Sequence, residues 1–391
     1  MRRKLLSAAA CGSTLLLALT ACSAPAGTDS TADGSLTGTG TGAECVIDSA
    51  VPIAAAFSLT GAAAQYGEGQ KNALELAVKD LNAVGGVTYE LSVEDDATDP
   101  KQAIQVFDSF ISSGASIIIG PTLSNTAKQT DPIAQDAGVP VLGVSNTAAG
   151  ITDIGDYIFR DSLTEDAVIP QTVKAAVDKL GVKKVVVMYA NDDAFTESGY
   201  QAFAAALEDQ NVDVADTLTF SKSDTDFRAL LNKAKQSNAD AIIVSGLIDA
   251  AVPLVTQARE IGIDTPIIGG NGFNSPALIT GAGEAAEGVI VGAAWNSASD
   301  NEQNVKFIED FTAMYSSAPD QFAAQAYAGM QIIDQAVRAT CSGEREDIKM
   351  GLGDITDVPT VLGSVSLNEN RDVEHDALVQ IVQDGEFVIL N

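Results

Sequence analysis

The sequence predicts an α/β protein of two lobes, each built on a parallel sheet. Three observations point there. From Val51 onward, short β-branched runs alternate with helical patterns, which is the signature of βαβ units. The alternation runs through twice in the same order, a second array beginning near Val182. About 345 residues follow the N-terminal segments, more than one core ordinarily serves.

In the first array Val51 to Phe57 reads as a strand. Asn72 to Leu81 reads as a helix, with Leu74, Val78 and Leu81 on one face and Gly85-Gly86 ending it. Tyr89 to Glu94 is the next strand. Asp99-Pro100 then supplies an N-cap and a first-turn proline to a helix carrying Ile104, Phe107 and Ile111. Ser116 to Ile119 and Val139 to Leu142 continue as strands. In the second array the strands are Lys184 to Tyr189, Ala241 to Val244, Pro266 to Ile268 and Val289 to Val291, separated by helices such as Tyr200 to Asp209. The first strand of each array runs into a loop with an aromatic ahead of a helix, Tyr66 in one and Phe195 in the other.

The N-terminus indicates export. Arg2, Arg3 and Lys4 form a basic region, Leu5 to Leu19 an apolar one, and Leu19-Thr20-Ala21-Cys22 closes it. Small residues ahead of a cysteine are the cleavage pattern of a lipoprotein signal, so residues 1–21 read as signal peptide and Cys22 as the lipidated N-terminus. The apolar run falls short of the roughly 20 residues that a spanning helix needs. Ser23 to Glu44 is rich in Gly, Thr, Ser and Ala and lacks Lys and Arg, so residues 22–44 read as lipidated cysteine and disordered tether. The expected location is the outer face of the cell membrane, held by lipid alone.

There are 53 acidic and 22 basic residues, a formal net charge of −31, which argues against nucleic acid and anionic lipid as partners. The charge is spread along helices and reads as solvated faces. Cys11 leaves with the signal and Cys22 takes lipid, leaving Cys45 and Cys341. In an oxidising compartment an even remainder suggests a disulfide, and two free buried thiols are the alternative.

Small polar residues recur just after strand ends: Ser58-Leu59-Thr60-Gly61, Ser124-Asn125-Thr126, Ser145-Asn146-Thr147, Asn191-Asp192-Asp193 and Asn271-Gly272. Ligands of open α/β sheets bind outside the carboxyl ends of the strands, so two such lobes face to face make a cleft. Turn and capping roles explain any one of these runs, but less well their recurrence in both arrays. Catalytic patterns are missing. The one histidine, His375, reads as a surface residue, and no nucleophile elbow, P-loop, His-Glu-x-x-His or Cys-x-x-Cys occurs. The run from Gly281 to Ala286 fits a relaxed dinucleotide fingerprint but follows a helical segment. Glu94-Asp95-Asp96 with Asp99 lacks the spacing and glycine of a calcium loop. No enzyme activity, cofactor or metal is expected.

Phe57-Ser58-Leu59-Thr60-Gly61, Gln65-Tyr66-Gly67-Glu68, Asp80 through Gly86, Glu94-Asp95-Asp96 and Ile119-Gly120-Pro121 resemble the branched-chain amino-acid binding proteins. Ala258 through Gly262, Glu284 through Gly288 and Ala326-Tyr327-Ala328 continue the likeness. These are substrate-binding subunits of ABC importers with the type I periplasmic binding-protein fold. The resemblance implies two Rossmann-like lobes joined by a three-strand hinge, with crossovers near Thr164, Ala294 and Leu362. Lobe 1 would comprise residues 45–164 plus 294–362, and lobe 2 residues 165–293 plus 363–391. It implies a monomer that binds a small molecule and delivers it to a permease and ATPase, or a receptor of the same fold that signals to a membrane partner.

The resemblance also implies a ligand set. Ser124 matches a hydroxyl that meets the ligand's carboxylate, Ser145 a backbone contact, Thr147 a second hydroxyl, and Tyr66 an aromatic against the ligand's side chain. Asn146 lies in the same loop. In the second lobe Phe195 replaces a usual tyrosine, Leu247 another, and Asn271 stands where an acidic residue commonly holds the ligand's ammonium. Asp193 or Asp249 would then have to supply that charge. Ala97 and Leu123 occupy the positions of a disulfide found in some members.

Overall fold

A computed structural model describes residues 35–390. The signal segment, Cys11, Cys22 and the first part of the expected tether lie outside the described residues.

The first sheet is built from β1 (Val51–Phe57), β2 (Tyr89–Asp95), β3 (Ile117–Ile119), β4 (Val141–Gly143) and β5 (Ile158–Arg160), all parallel, in the order β2-β1-β3-β4-β5. The segment that forms β1 carries no charge and is buried along nearly its whole length, as suits a strand covered on both faces. Ile53 stands opposite Leu91 on one side and Ile117 on the other. The connecting helices are α1 (Ala64–Val84), α2 (Pro100–Ser113) and α3 (Ser124–Asp136). The Asp99 carboxylate caps α2 by accepting the Lys101 N–H, and Gly114, in the left-handed region, ends it. Helix α1 starts at Ala64 rather than Asn72. Its first turns carry glycines that discourage a helix in sequence, but a Cβ on Gly67 would lie 2.0 Å from the Ser58 carbonyl oxygen, so close approach to the β1 loop requires one there.

The chain next forms α4 (Glu165–Leu180), β6 (Lys184–Ala190), α5 (Ala194–Asp209), β7 (Asp213–Phe220), α6 (Arg228–Gln236), β8 (Ala241–Ser245), α7 (Ile248–Glu260), β9 (Ile267–Gly269), α8 (Pro276–Ala282) and β10 (Ile290–Ala293). It then returns to the first lobe as α9 (Glu302–Tyr315), α10 (Gln321–Thr340), α11 (Arg345–Gly353) and the three-stranded sheet β11 (Val358–Thr360), β12 (Gly363–Leu367) and β13 (Val373–Glu374). Finally β14 (Leu378–Gln383) and β15 (Glu386–Ile389) add antiparallel to the second sheet, whose order is β15-β14-β10-β9-β8-β6-β7. Edge strand β7 is mostly exposed and so lacks the apolar run by which its neighbours are recognised.

Three passages join the lobes. The first two lie between β5 and α4, at residues 161–164, and between β10 and α9, at residues 294–301. The third lies between Glu374 and Leu378 rather than near Leu362. Val365, Leu367 and Val373 are buried in the first lobe's core beside Phe57 and Ile333. Arg371 donates from Nε to the Ile158 carbonyl and from Nη2 to that of Thr152, which ties this stretch to β5. Residues 363–374 therefore stay with lobe 1.

The expected tether also ends earlier than Glu44. The Gly38 N–H donates to the Cys341 carbonyl at 2.8 Å, Thr39 pairs with Val46, and the Gly343 N–H donates to Leu36. A Cβ on Gly38 would lie 2.2 Å from the Val46 carbonyl oxygen. Backbone bonds hold this stretch, and composition does not report them. Cys45 and Cys341 form a disulfide with their Cα atoms 5.4 Å apart, joining the start of the folded body to the end of α10.

Candidate functional site

The carboxyl ends of the two sheets face each other, and the loops leaving them line a cavity between the lobes. Tyr66, Thr122, Leu123, Ser124, Ser145, Thr147 and Phe322 line it from the first lobe, and Phe195, Leu247, Asn271 and Gly272 from the second. Seven of the eight residues singled out in sequence are thus brought together. Asn146 is not among the lining residues. It is fully buried, and its Nδ2 donates to the Pro121 carbonyl at 3.1 Å, so it braces the loop behind the cavity.

The first-lobe wall is a hydrogen-bond lattice. Ser145 Oγ donates to the Thr122 carbonyl and accepts from Gln70 Nε2, each at 2.7 Å. Thr122 Oγ1 donates to Gln70 Oε1 and accepts the Ser58 N–H. Ser58 in turn donates to Asp96, and Asp95 accepts the N–H groups of Leu59, Thr60 and Ala97. The acidic run at the end of β2 therefore fastens the β1 loop. Ser124 is the first residue of α3, where the initial N–H groups have no carbonyl within the helix to bond. Its Oγ accepts the Ala148 N–H at 3.2 Å, which leaves its own proton to donate.

Thr147 is placed differently from Ser124. Its hydroxyl donates to Glu165 Oε1 at 2.9 Å. Glu165 begins α4 and is buried, and burial pushes its carboxyl up to about 8, against the Thr147 hydroxyl and the Asn271 backbone N–H, which favour the charged form.

Several bonds cross the cleft. Tyr66 Oη donates to the Gly272 carbonyl and accepts the Ile248 N–H, both at 2.8 Å, while its ring centroid lies 4.5 Å from that of Phe322. Burial raises the Tyr66 phenol well above its ordinary value, the Ile248 N–H opposing and the charges of Asp249, Asp320 and Asp193 adding to the rise, so it stays a donor. Asn125 Nδ2 donates to Asp193 Oδ2, and Asn125 Oδ1 accepts the Ala194 N–H at 2.8 Å. The Ala149 N–H donates to Ser198 Oγ. The lobes are thus held in a closed arrangement.

On the second lobe, Asn271 is 2% exposed, and its Oδ1 accepts from Gln321 Nε2. Gln321 Oε1 accepts both the Ala294 N–H and Asn274 Nδ2, each at 2.6 Å. Sequence reasoning missed Phe322 and Gln321, which sit on α10 far along the chain, and no local pattern marks them. Thr122 and Leu123, directly after Ile119-Gly120-Pro121, were within reach of the strand-end rule that found Ser124.

Two lobes with a polar and aromatic cavity at their facing sheet ends define a ligand-binding protein of the α/β class. The family model for periplasmic binding proteins matches residues 50–386, and the chain belongs to that family. It is similar to substrate-binding proteins of branched-chain amino-acid transporters. It is 26% identical over 330 residues to the leucine-, isoleucine-, valine-, threonine- and alanine-binding protein of Pseudomonas aeruginosa, covering 83% of this chain and 87% of that one. The Leu/Ile/Val-binding protein of Citrobacter freundii is 26% identical over 328 residues, covering 83% and 88%. Among solved structures, LivJ from Streptococcus pneumoniae in complex with isoleucine superposes with a TM-score of 0.82 at 27% identity, covering 86% of this chain and 97% of that one.

Proposed function

We propose that this chain is the exported, lipid-anchored binding subunit of an ABC importer. It carries a small carboxylate-bearing solute, a branched-chain amino acid or a related compound, to a permease and ATPase. The observation that carries this reading is Ser124. A hydroxyl with its proton free stands at the N-terminus of a 13-residue helix and borders a cavity with aromatic walls. Orphan N–H groups and the helix dipole there favour an anion. The likeness to LivJ, which was solved with isoleucine, supports the same class of solute.

Tyr66, Phe195, Leu247 and Phe322 give an apolar body somewhere to pack. Bonds such as Tyr66 to Gly272 exist only with the lobes together, so a ligand touching both walls favours closure through contacts the open form lacks. Cys22 supplies the anchor and the chain works as a monomer. Isothermal titration against amino acids, their amides, aromatic acids and short-chain acids tests the reading. Micromolar or tighter binding of a carboxylate supports it, and no binding across the set refutes it. Loss of membrane retention in Cys22→Ala tests the anchor, and a retained, acylated mutant refutes it.

A further inference from the structure

The orientation of the Asn271 amide is fixed by a chain of hydrogen bonds that starts at the backbone. The Ala294 N–H can only donate, so the Gln321 atom 2.6 Å away is the oxygen. Asn274 Nδ2 meets the same oxygen. The other end of the Gln321 amide is therefore its nitrogen, which donates to Asn271 and makes the facing atom Oδ1. What remains is Asn271 Nδ2, buried, bordering the cavity and without a partner among the described residues. The second lobe thus offers the ligand a donor where an ammonium would need an acceptor.

Among the described residues no carboxylate lines the cavity, and buried Asp320, whose charge reaches Tyr66, is turned to cap α10 by accepting the Ala323 N–H. Glu165 lies behind Thr147, and its burial keeps it protonated around neutral pH. Asp193 has both oxygens engaged, by the N–H groups of Phe195 and Thr196 and by Asn125. Asp249 lines the outer mouth of the cleft, not the cavity. A buried ammonium without a carboxylate is strongly disfavoured.

We infer that the physiological ligand is a small apolar carboxylic acid that bears a neutral acceptor oxygen, keto or hydroxy, and no ammonium. This rests on the proposed function and narrows its solute. Ser124 and the start of α3 take the carboxylate, and Asn271 Nδ2 donates to the acceptor oxygen.

Titration calorimetry at neutral pH on the mature protein tests it with two matched series. One is leucine, α-ketoisocaproate, α-hydroxyisocaproate and isocaproate, and the other is phenylalanine, phenylpyruvate and phenyl-lactate. The keto or hydroxy acid of at least one series should bind about tenfold to a hundredfold tighter than its amino acid. Two isosteric variants reverse the logic. Gln321→Glu can no longer donate to Asn271, so the amide turns to present Oδ1, and Asn271→Asp restores a charge. Each should move the ratio of keto acid to amino acid affinity at least tenfold towards the amino acid. If either variant misfolds, the wild-type ratios alone decide. An amino acid that binds more tightly than its keto and hydroxy partners overturns the inference and leaves the proposed function standing. No binding in either series overturns the inference, and the proposed function falls with it only if the wider set of acids and amides fails to bind as well.

Discussion

Asn125 and Asp193 meet across the cleft from the first turns of two helices in opposite lobes. Asn125 Nδ2 donates to the Asp193 carboxylate, and the neighbouring Ala194 N–H donates back to Asn125 Oδ1 at 2.8 Å. Asp193 also caps α5 through the Phe195 and Thr196 N–H groups, so the residue that starts the second-lobe helix is also half of the clasp. The contact reports on closure without touching the cavity, since neither side chain lines it.

Removing that clasp should weaken ligand binding through the closing equilibrium. A hydrogen bond to a charged group contributes roughly 1.5–3 kcal/mol, so Asn125→Ala should lower affinity about tenfold. Asn125→Asp should lower it further by setting two carboxylates side by side. Titration calorimetry gives the affinity, and small-angle scattering with saturating ligand gives the closed fraction. Unchanged affinity in both variants would show that closure does not draw on this contact.

Ser124 and Thr147 look equivalent in sequence, yet the structure separates them. The Ser124 proton is free for a carboxylate, while the Thr147 proton is committed to Glu165. Ser124→Ala should therefore weaken binding about tenfold to a hundredfold with little change in the melting temperature of the free protein. Thr147→Ala should cost binding only a few-fold. Equal losses in the two variants would contradict this division of labour.

Much of this was legible because parallel strands announce themselves. The run from Val51 to Phe57 and the triple isoleucine at 117–119 are buried on both faces, so their composition alone marks them. The cavity was legible for the related reason that ligands gather at strand ends, which picked out Ser124, Ser145 and Asn271. What stayed hidden depends on tertiary contact. Phe322 and Gln321 reach the cavity from a helix that returns to the first lobe after the second is built. Leu36 to Glu44 is held by backbone bonds to residues about Cys341, and glycine- and threonine-rich composition carries no trace of that pairing. Residues 363–374 belong to the first lobe because Arg371 and Val365 anchor there, a placement that no spacing reveals.

The disulfide should be a principal brace of the N-terminal region. It closes a loop spanning 296 positions, for which the chain-entropy view gives about 5–6 kcal/mol before native strain is subtracted. The double variant Cys45→Ser, Cys341→Ser should lower the unfolding free energy by about 2–5 kcal/mol. It should also expose residues 36–44 to protease while ligand affinity stays within a few-fold, because neither cysteine lines the cavity. Urea titration and limited proteolysis check the two halves of this expectation, and wild-type stability in the double variant would refute it.

Glu165 makes a pH dependence that runs opposite to ordinary acid denaturation. Its folded carboxyl is raised from about 4.5 to about 8, chiefly by burial, with the Thr147 hydroxyl opposing. Between those values the unfolded chain has released this proton and the folded protein keeps it, so its contribution to stability is full below about 4.5 and falls as pH rises through about 8. Buried Asp131 and Asp161 are raised for the same reason and act with the same sign. Glu165→Gln keeps a neutral side chain of the same shape, so it should remove this component. Stability measured by urea unfolding at about pH 5 and about pH 9 should drop less in the variant than in the wild type, by on the order of several kcal/mol. Thr147→Ala should steepen the wild-type decline, since it takes away a donor that favours the charged form. Parallel pH profiles for wild type and Glu165→Gln would mean that the carboxyl is already ionised in the folded protein, and the neutral Glu165 behind Thr147 would have to be abandoned.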